Sequence, residues 1–465
     1  MTQARLLRVL VLLAATLLAL AFSALLFQSV NVAIVAFVLG LGVTVVFIEP
    51  YLGLLNYLMF LYVRPQDFIP GFVGLPVMLV LGSATLAFTV LHMALKKNIF
   101  GLSRVPLNYL MVWFLAAIAV SHAASLNMHG MSETVRWFLP TFLLYFMIAL
   151  MVTTEKRLQV FYYLLVIFSA FIAFQGVYQY YTGVGLAGQG LLGTRIRAIG
   201  IFSDPNDMAM ALLVVLPFCF REITTSKHLF LRGLNLALAG LMIVTIFLSE
   251  SRGGILTFGL LTMIMFSRRF GWKIGAVVGV VAFAGIFVLG PSRMGTISTE
   301  EDSAYQRIEA WTIAIELVTS RPLFGVGARM FTDYYFLTAH SSFLLCAAEL
   351  GLFGLVAWVL MLFMSIKNLR FISKHARSEK YGRLAAYADS LMLGLIAYVS
   401  SSMFLSRTYS QVLFVLLGMS ASVMTMFIRW SDEKYVLIDK KDLGLGAAIS
   451  VGTLIFLKAF LIWAW

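Results

Sequence analysis

Apolar runs of about 17–25 residues recur along the whole chain, separated by short polar stretches. A run of that length spans a bilayer as a helix, which closes its own backbone hydrogen bonds where no water is available. Of the 465 residues 61% are hydrophobic and 12% charged, so no sizeable soluble domain is available. The expected class is therefore a polytopic membrane protein.

The formal net charge of +13 does not mark a nucleic-acid partner, because no arginine-rich aromatic module accompanies it. Its basic residues form clusters: Arg5/Arg8, Lys96/Lys97/Arg104, Lys156/Arg157, Arg221/Lys227/Arg232, Arg268/Arg269/Lys273, the stretch Lys367–Arg383, and Arg429–Lys441. Placing every cluster on the cytoplasmic side gives one threading. Its spans are 6–27, 31–47, 50–63, 76–95, 106–123, 137–153, 158–180, 206–220, 232–249, 253–267, 273–290, 341–366, 384–404, 409–428 and 444–463. The span 50–63 is short and is expected to be interfacial or tilted. Arg5 and Arg8 before Leu10–Phe27 mimic a signal peptide, but the run is long and lacks a small-residue cleavage site. A retained first helix is expected there. Cys219 and Cys346 lie in apolar stretches and signal neither a disulfide nor thiol chemistry.

The outer segments are then Arg64–Pro76, Ala124–Arg136, Tyr181–Pro205, Leu248–Gly253, Pro291–His340 and Leu405–Tyr409. They hold no loop lysine, yet carry Arg64, Arg136, Arg195, Arg197, Arg252, Arg293, Arg307, Arg321, Arg329 and Arg407. Guanidinium without ammonium suits planar, bidentate recognition of phosphate or carboxylate. Within the longest segment, Ser303–Ser320 reads as an amphipathic helix, with Ile308, Trp311, Ile315 and Val318 at helical spacing and Trp311 at headgroup depth. Pro322 ends it and Gly325-Val326-Gly327 follows as a turn.

Four positions are candidates for chemistry. His340 closes the longest outer segment at a helix N-terminus, where the dipole keeps imidazole neutral and fit to act as a general base. The bland alternative is a histidine bonded between helices; His122 and His129 compete with weaker surroundings. Arg252, in Glu250-Ser251-Arg252-Gly253-Gly254, adds a guanidinium to free N–H groups and suits an anion. Its alternative is an interfacial arginine paired with Glu250. Arg195 and Arg197 precede Asp204-Pro205-Asn206, and only one of them is expected to face the site; the bland alternative has Asp204 or Asn206 simply capping the next helix. Arg307 shares a helix face with Trp311, four residues on. Arg321 and Arg329 flank the glycine turn. Residues 300–302 are consecutive carboxylates and do not converge as ligands, so no metal and no cofactor are expected.

These strings together resemble the O-antigen ligase/polymerase superfamily of bacterial envelope glycosyltransferases. They are Arg197-x-x-Gly200-x-Phe202-x-x-Pro205-Asn206, Ser251-Arg252-Gly253-Gly254, Arg307-x-x-x-Trp311, Pro322-Leu323-Phe324-Gly325-Val326-Gly327, and Ala339-His340-Ser341-Ser342-Phe343 followed by Glu349-Leu350-Gly351. Pro50–Pro76, with Arg64-Pro65-Gln66, is similar to the start of exosortase-associated O-glycosylation ligases. The resemblance covers about residues 190–365. Ser341 stands where family members often have Asn, and the last span exceeds the usual twelve-helix plan.

The resemblance implies an all-α, polytopic membrane helix bundle of the GT-C-like type, with about 12–15 transmembrane helices and a periplasmic loop containing an amphipathic helix. It divides the chain into N-terminal helices 1–180, a catalytic region 181–366 with outer loop 291–340, and C-terminal helices 367–465. It implies transfer of a glycan from an undecaprenyl-diphosphate-linked donor to an acceptor hydroxyl or amine, without metal and with inversion, at the outer face of the bacterial inner membrane. His340 would be the base. Arg197, Arg195, Arg252, Arg307 and Arg321 would hold the diphosphate, with Trp311, Asn206, Arg329 and Ser341 as secondary candidates. A polysaccharide polymerase of the same superfamily is the nearest alternative. A transporter or flippase for the same lipid is the alternative of another class, and it would need charged groups at mid-bilayer, where the predicted spans carry almost none.

Overall fold

The computed structural model describes residues 44, 46–69, 76–96, 105–289, 302–376, 382–431 and 439–464. The expected span 6–27, nearly all of 31–47, Arg293 and the carboxylates at 300 and 301 lie outside them. Among the described residues the long elements are all helices: α1 Pro50–Tyr62, α2 Val77–Lys96, α3 Pro106–Ala123, α4 Met128–Met151, α5 Glu155–Thr182, α6 Pro205–Thr225, α7 Leu229–Leu248, α8 Arg252–Phe270, α9 Trp272–Leu289, α10 Asp302–Ser320, α11 Ser342–His375, α12 Gly382–Ser402, α13 Gln411–Trp430 and α14 Lys440–Ala464. Nine of these are long and apolar enough to cross a membrane, namely α3 to α7 and α11 to α14. The fold is a polytopic membrane helix bundle, as the apolar runs require.

Helix starts follow local chemistry. Asp204 caps α6 by accepting the Asn206 N–H at 2.7 Å, with Pro205 at the first helical position. Ser251 caps α8 through the Gly254 N–H at 3.1 Å. Thr154 caps α5, and Gly183 ends it with φ 75°. Helices α6, α11, α12 and α13 form the buried centre, and α7 and α14 flank it. α1, with 13 residues, is about 20 Å long and cannot cross a bilayer of about 30 Å unaided.

Most of the expected outer segment Ala124–Arg136 is helical, because α4 already begins at Met128, capped by the Asn127 side chain on the Gly130 N–H at 2.8 Å. Gly325-Val326-Gly327 is more than a simple turn. It lies in a break of α11 at Gly351, where φ is 64° and ψ −169°. The Val326 and Gly327 N–H groups donate to Ala348 and Glu349 carbonyls at 2.9 and 3.0 Å. The Leu352 and Phe353 N–H groups donate back to Pro322 and Leu323 carbonyls at 2.8 and 3.1 Å. The helical bonds lost at the break are thus replaced by loop backbone, as an apolar interior demands. Glycine is required twice: a Cβ on Gly351 would meet the Leu323 carbonyl carbon at 2.3 Å, and one on Gly325 the Glu349 backbone at 2.4 Å.

The far side of this loop rests on α3. The Ala328 N–H donates to Ser121 Oγ at 3.1 Å, and His122 Nε2–H donates to the Ala328 carbonyl at 3.0 Å. The buried Glu349 carboxylate accepts the Tyr409 hydroxyl at 2.7 Å, the Phe331 N–H at 3.3 Å and the Arg329 N–H. The chain from Pro322 to Phe331 is therefore fixed on three sides before it reaches His340.

Candidate active site

Three helix N-termini, those of α6, α8 and α11, meet at one end of the bundle. Gly254 at the start of α8 lies against Ala209 of α6, where a Cβ would stand 2.9 Å from the Ala209 methyl. Gly253 faces Phe404, beyond the end of α12. Each N-terminus is the positive end of a row of peptide dipoles, so their meeting favours negative charge.

Asn206 joins two of these helices. Its Oδ1 accepts the Arg195 guanidinium and the Ser251 hydroxyl, both at 2.8 Å. Arg195 Nε–H donates to the Ser249 carbonyl at 3.0 Å. Arg195 thereby stands beside Ser251-Arg252, and half-buried Arg252 opens α8. Arg197 turns elsewhere: its Nε–H donates to the Gly190 carbonyl at 2.9 Å, and its N–H to Gln179 Oε1 at 2.7 Å. Residues two apart in extended chain share a face, with Ile196 buried opposite, so the divergence of Arg195 and Arg197 comes from their side-chain partners. Glu250 accepts the Thr194 hydroxyl at 3.0 Å.

His340 is half-buried, with φ 48°, one residue before the Ser341 cap of α11. Its imidazole is held below the ordinary histidine range, first by burial, then by the positive charge of Arg307; Asp204 pulls the other way, and Arg407 adds a smaller lowering. Burial and two guanidiniums therefore keep it neutral, whereas the sequence had pointed to the helix dipole. Arg307 reaches this corner from α10, whose most buried stripe is Ala310, Ala314, Leu317 and Val318. The expected apolar residues Ile308, Trp311 and Ile315 are only half-buried, and Trp311 packs on Phe460 of α14 with ring centres 5.9 Å apart. The Ser341 hydroxyl is buried without a partner.

The structure adds a pair that sequence reasoning missed. Arg407, in the loop between α12 and α13, forms a two-pronged ion pair with Asp207, which is 4% exposed in the first turn of α6. Its loop is locked: the Arg407 N–H donates to Ser342 Oγ at 2.8 Å, the Ser342 hydroxyl to the Leu405 carbonyl at 2.5 Å, and Trp358 Nε1–H to the Thr408 carbonyl at 3.2 Å. A buried acid at a helix start needs a cation, and that was the available signal. Arg64 also gains a place, paired with Asp67 at 2.5 Å and lying where a Cβ on Gly200 would fall.

Two other predicted binding residues stand apart from this corner. Arg321 donates to Ser125 Oγ at 2.8 Å, and Arg329 lies over the Trp137 ring at 4.5 Å. Both belong to the seating of the Pro322–Phe331 loop on α3 and α4.

Residues 237–359 match the family model described as O-Antigen ligase. Over this stretch the chain is similar to O-antigen ligases, which supports the resemblance read from its motifs. The matched region contains Ser251-Arg252, Arg307, the loop seated in the α11 break and His340; Arg195, Asn206, Asp207 and Arg407 lie outside it. No curated protein matches the chain. This similarity supports a membrane function of the ligase/polymerase type, and the family implies a lipid-linked glycan as substrate class.

Proposed function

We propose that the protein is an O-antigen-ligase-type glycosyltransferase that moves a glycan from an undecaprenyl-diphosphate-linked donor to an acceptor hydroxyl at the outer face of the inner membrane. The observation that carries this reading is a His340 held below the ordinary histidine range by burial and the charge of Arg307, at the end of the bundle where Arg195 and Ser251 meet on Asn206.

Each part has a task. His340 takes the proton of the acceptor hydroxyl, whose oxygen then attacks the anomeric carbon. The carbon–oxygen bond to the diphosphate breaks, and the leaving group departs with the electron pair as undecaprenyl diphosphate. Its developing charge is met by guanidiniums already in place and by the N–H groups of α6 and α8, in a corner poor in water. Attack from the side opposite the leaving group inverts the anomeric centre. Arg407 is held by Asp207 and acts on His340 through its charge, so it is a positioning residue.

The test is reconstitution of the full chain with an undecaprenyl-diphosphate glycan and candidate acceptors. Wild-type protein should release undecaprenyl diphosphate only when an acceptor is present, and His340→Ala should abolish release while the protein still purifies as a folded bundle. Undiminished transfer by His340→Ala would remove the base assignment. Chain growth on a second lipid-linked glycan, with no other acceptor used, would make the enzyme a polymerase.

A further inference from the structure

The opposite end of the bundle holds a cavity that the transfer reaction does not use. Its volume is about 180 Å³, and it lies between the C-terminal ends of α6 and α8 and the first half of α12. Helix order sets its depth. Pro217, Phe220, Met265 and Leu393 line the inner part, and Arg221, Arg268 and Arg269 lie nearer the helix ends.

The electrostatics at the mouth are unbalanced. Arg221 pairs with Glu222 and stacks on the Tyr387 ring at 3.9 Å, yet its buried Nε–H has no acceptor. Arg268 pairs with Asp389 at 2.5 Å. Arg269 is exposed, and no hydrogen bond or ion pair holds it among the described residues. Three guanidiniums thus face two carboxylates, and an orphan donor points to a missing acceptor. An apolar floor beneath a cationic rim has the polarity of a phospholipid turned headgroup outward. Phe266, with its ring centre 6.5 Å from that of Phe220, adds to the apolar floor beneath the arginines. Trp272, 73% exposed just past the end of α8, marks the depth at which headgroups lie.

We propose that this cavity binds the phosphate of an anionic phospholipid, held by Arg269 and Arg221, with the first part of its acyl chain over Phe220 and Met265. The site is separate from the transfer reaction, so its failure would leave the proposed function untouched. Arg268 is kept from the phosphate by Asp389 and is released when that carboxylate is lost.

The probe is lipid titration of the full chain in neutral detergent, read by native mass spectrometry, with phosphatidylglycerol and phosphatidylcholine as ligands. Phosphatidylglycerol should bind about tenfold more tightly, since charged-acceptor bonds to guanidinium are the strong ones. Arg269→Gln should weaken it about fivefold, the equivalent of one surface cation at a headgroup. Asp389→Asn should strengthen it. Removing two exposed cations elsewhere on the same end, in Arg370→Gln with Lys374→Gln, should change it less than about twofold. Equal binding of the two lipids, equal loss in the control double variant, weaker binding by Asp389→Asn, or displacement by millimolar inorganic phosphate would each overturn the proposal.

Discussion

At one end of the bundle guanidinium groups rest mostly on neutral oxygens, and at the other they rest mostly on carboxylates. Arg195 lies on Asn206 and the Ser249 carbonyl, Arg197 on the Gly190 carbonyl, and Arg321 on Ser125. At the far end Arg157 pairs with Glu49, Arg221 with Glu222, Arg268 with Asp389, and Lys367 with Asp442. A neutral acceptor fixes the direction of a guanidinium and leaves its charge intact. A carboxylate cancels that charge. On the proposed reading the first end keeps positive potential for an anion, and the second mainly holds helices together. Arg64–Asp67 and Arg407–Asp207 are exceptions at the first end, and the second is instructive. There the carboxylate is buried and the pair doubly bonded, as an arginine that supports a neighbour should be.

The sharpest way to break this comparison is at its centre. His340→Ala should lower the transfer rate about 100- to 10,000-fold, the range that a positioned base contributes. The measurement is single-turnover release of undecaprenyl diphosphate. If the loss were less than tenfold, the potential kept at this end would serve binding alone.

Next comes the neutral-oxygen rule itself. Asn206→Asp keeps the shape of the side chain but gives Arg195 a carboxylate, converting the first kind of end into the second. It should cost about 100-fold, approaching the loss expected for Arg252→Ala, since one preorganised donor is worth about 100- to 1,000-fold. Arg157→Gln, which removes one member of a half-exposed far-end pair, should leave transfer within about threefold and stability within about 1 kcal/mol. An Asn206→Asp enzyme with wild-type rate would remove the distinction between the two ends.

The fold contributes a third, smaller effect. Gly351→Ala forces a side chain into backbone 2.3 Å away, at a left-handed φ. Thermal unfolding should shift down by several degrees, for about 1–3 kcal/mol of strain and displaced packing. Because the loop it displaces leads to His340, transfer should fall with it.

How much of this was legible beforehand follows from which interactions are local. Apolar runs, Asp204-Pro205 and Thr154 declare helices and their starts, because caps are made within three residues. The order Ser251-Arg252, Arg307, His340 declares a family and an end of the bundle. Nothing local tells that Arg195 turns to Asn206 while Arg197 turns to Gly190, since their partners are 11 and 7 residues away and equally polar. Asp207 and Arg407 stand 200 residues apart, and only folding puts them together. The seating of Pro322–Gly327 in the α11 break was equally hidden. Its glycines read as turn residues when each is taken alone, and as a requirement for close backbone approach only when both segments are seen in contact.

The smallest effect is the one that tests the electrostatics most directly. Burial, Arg307 and Arg407 hold the His340 imidazole below its ordinary range, so its neutral form persists to more acidic pH than that of a free histidine. Transfer should rise with pH along an acid limb centred below about 6.5, the unperturbed histidine value. Removing a nearby positive charge makes imidazolium less unfavourable, so the limb should move toward neutral pH in Arg307→Gln. Removing Asp204, whose charge opposes the lowering, should move it the other way, and Asp204→Ser keeps a capping oxygen for α6 while doing so. Opposite displacements in these two variants, read from pH–rate profiles of the surviving activity, would tie the base to its charged neighbours. Profiles that move together, or not at all, would place the titrating group elsewhere at this end of the bundle.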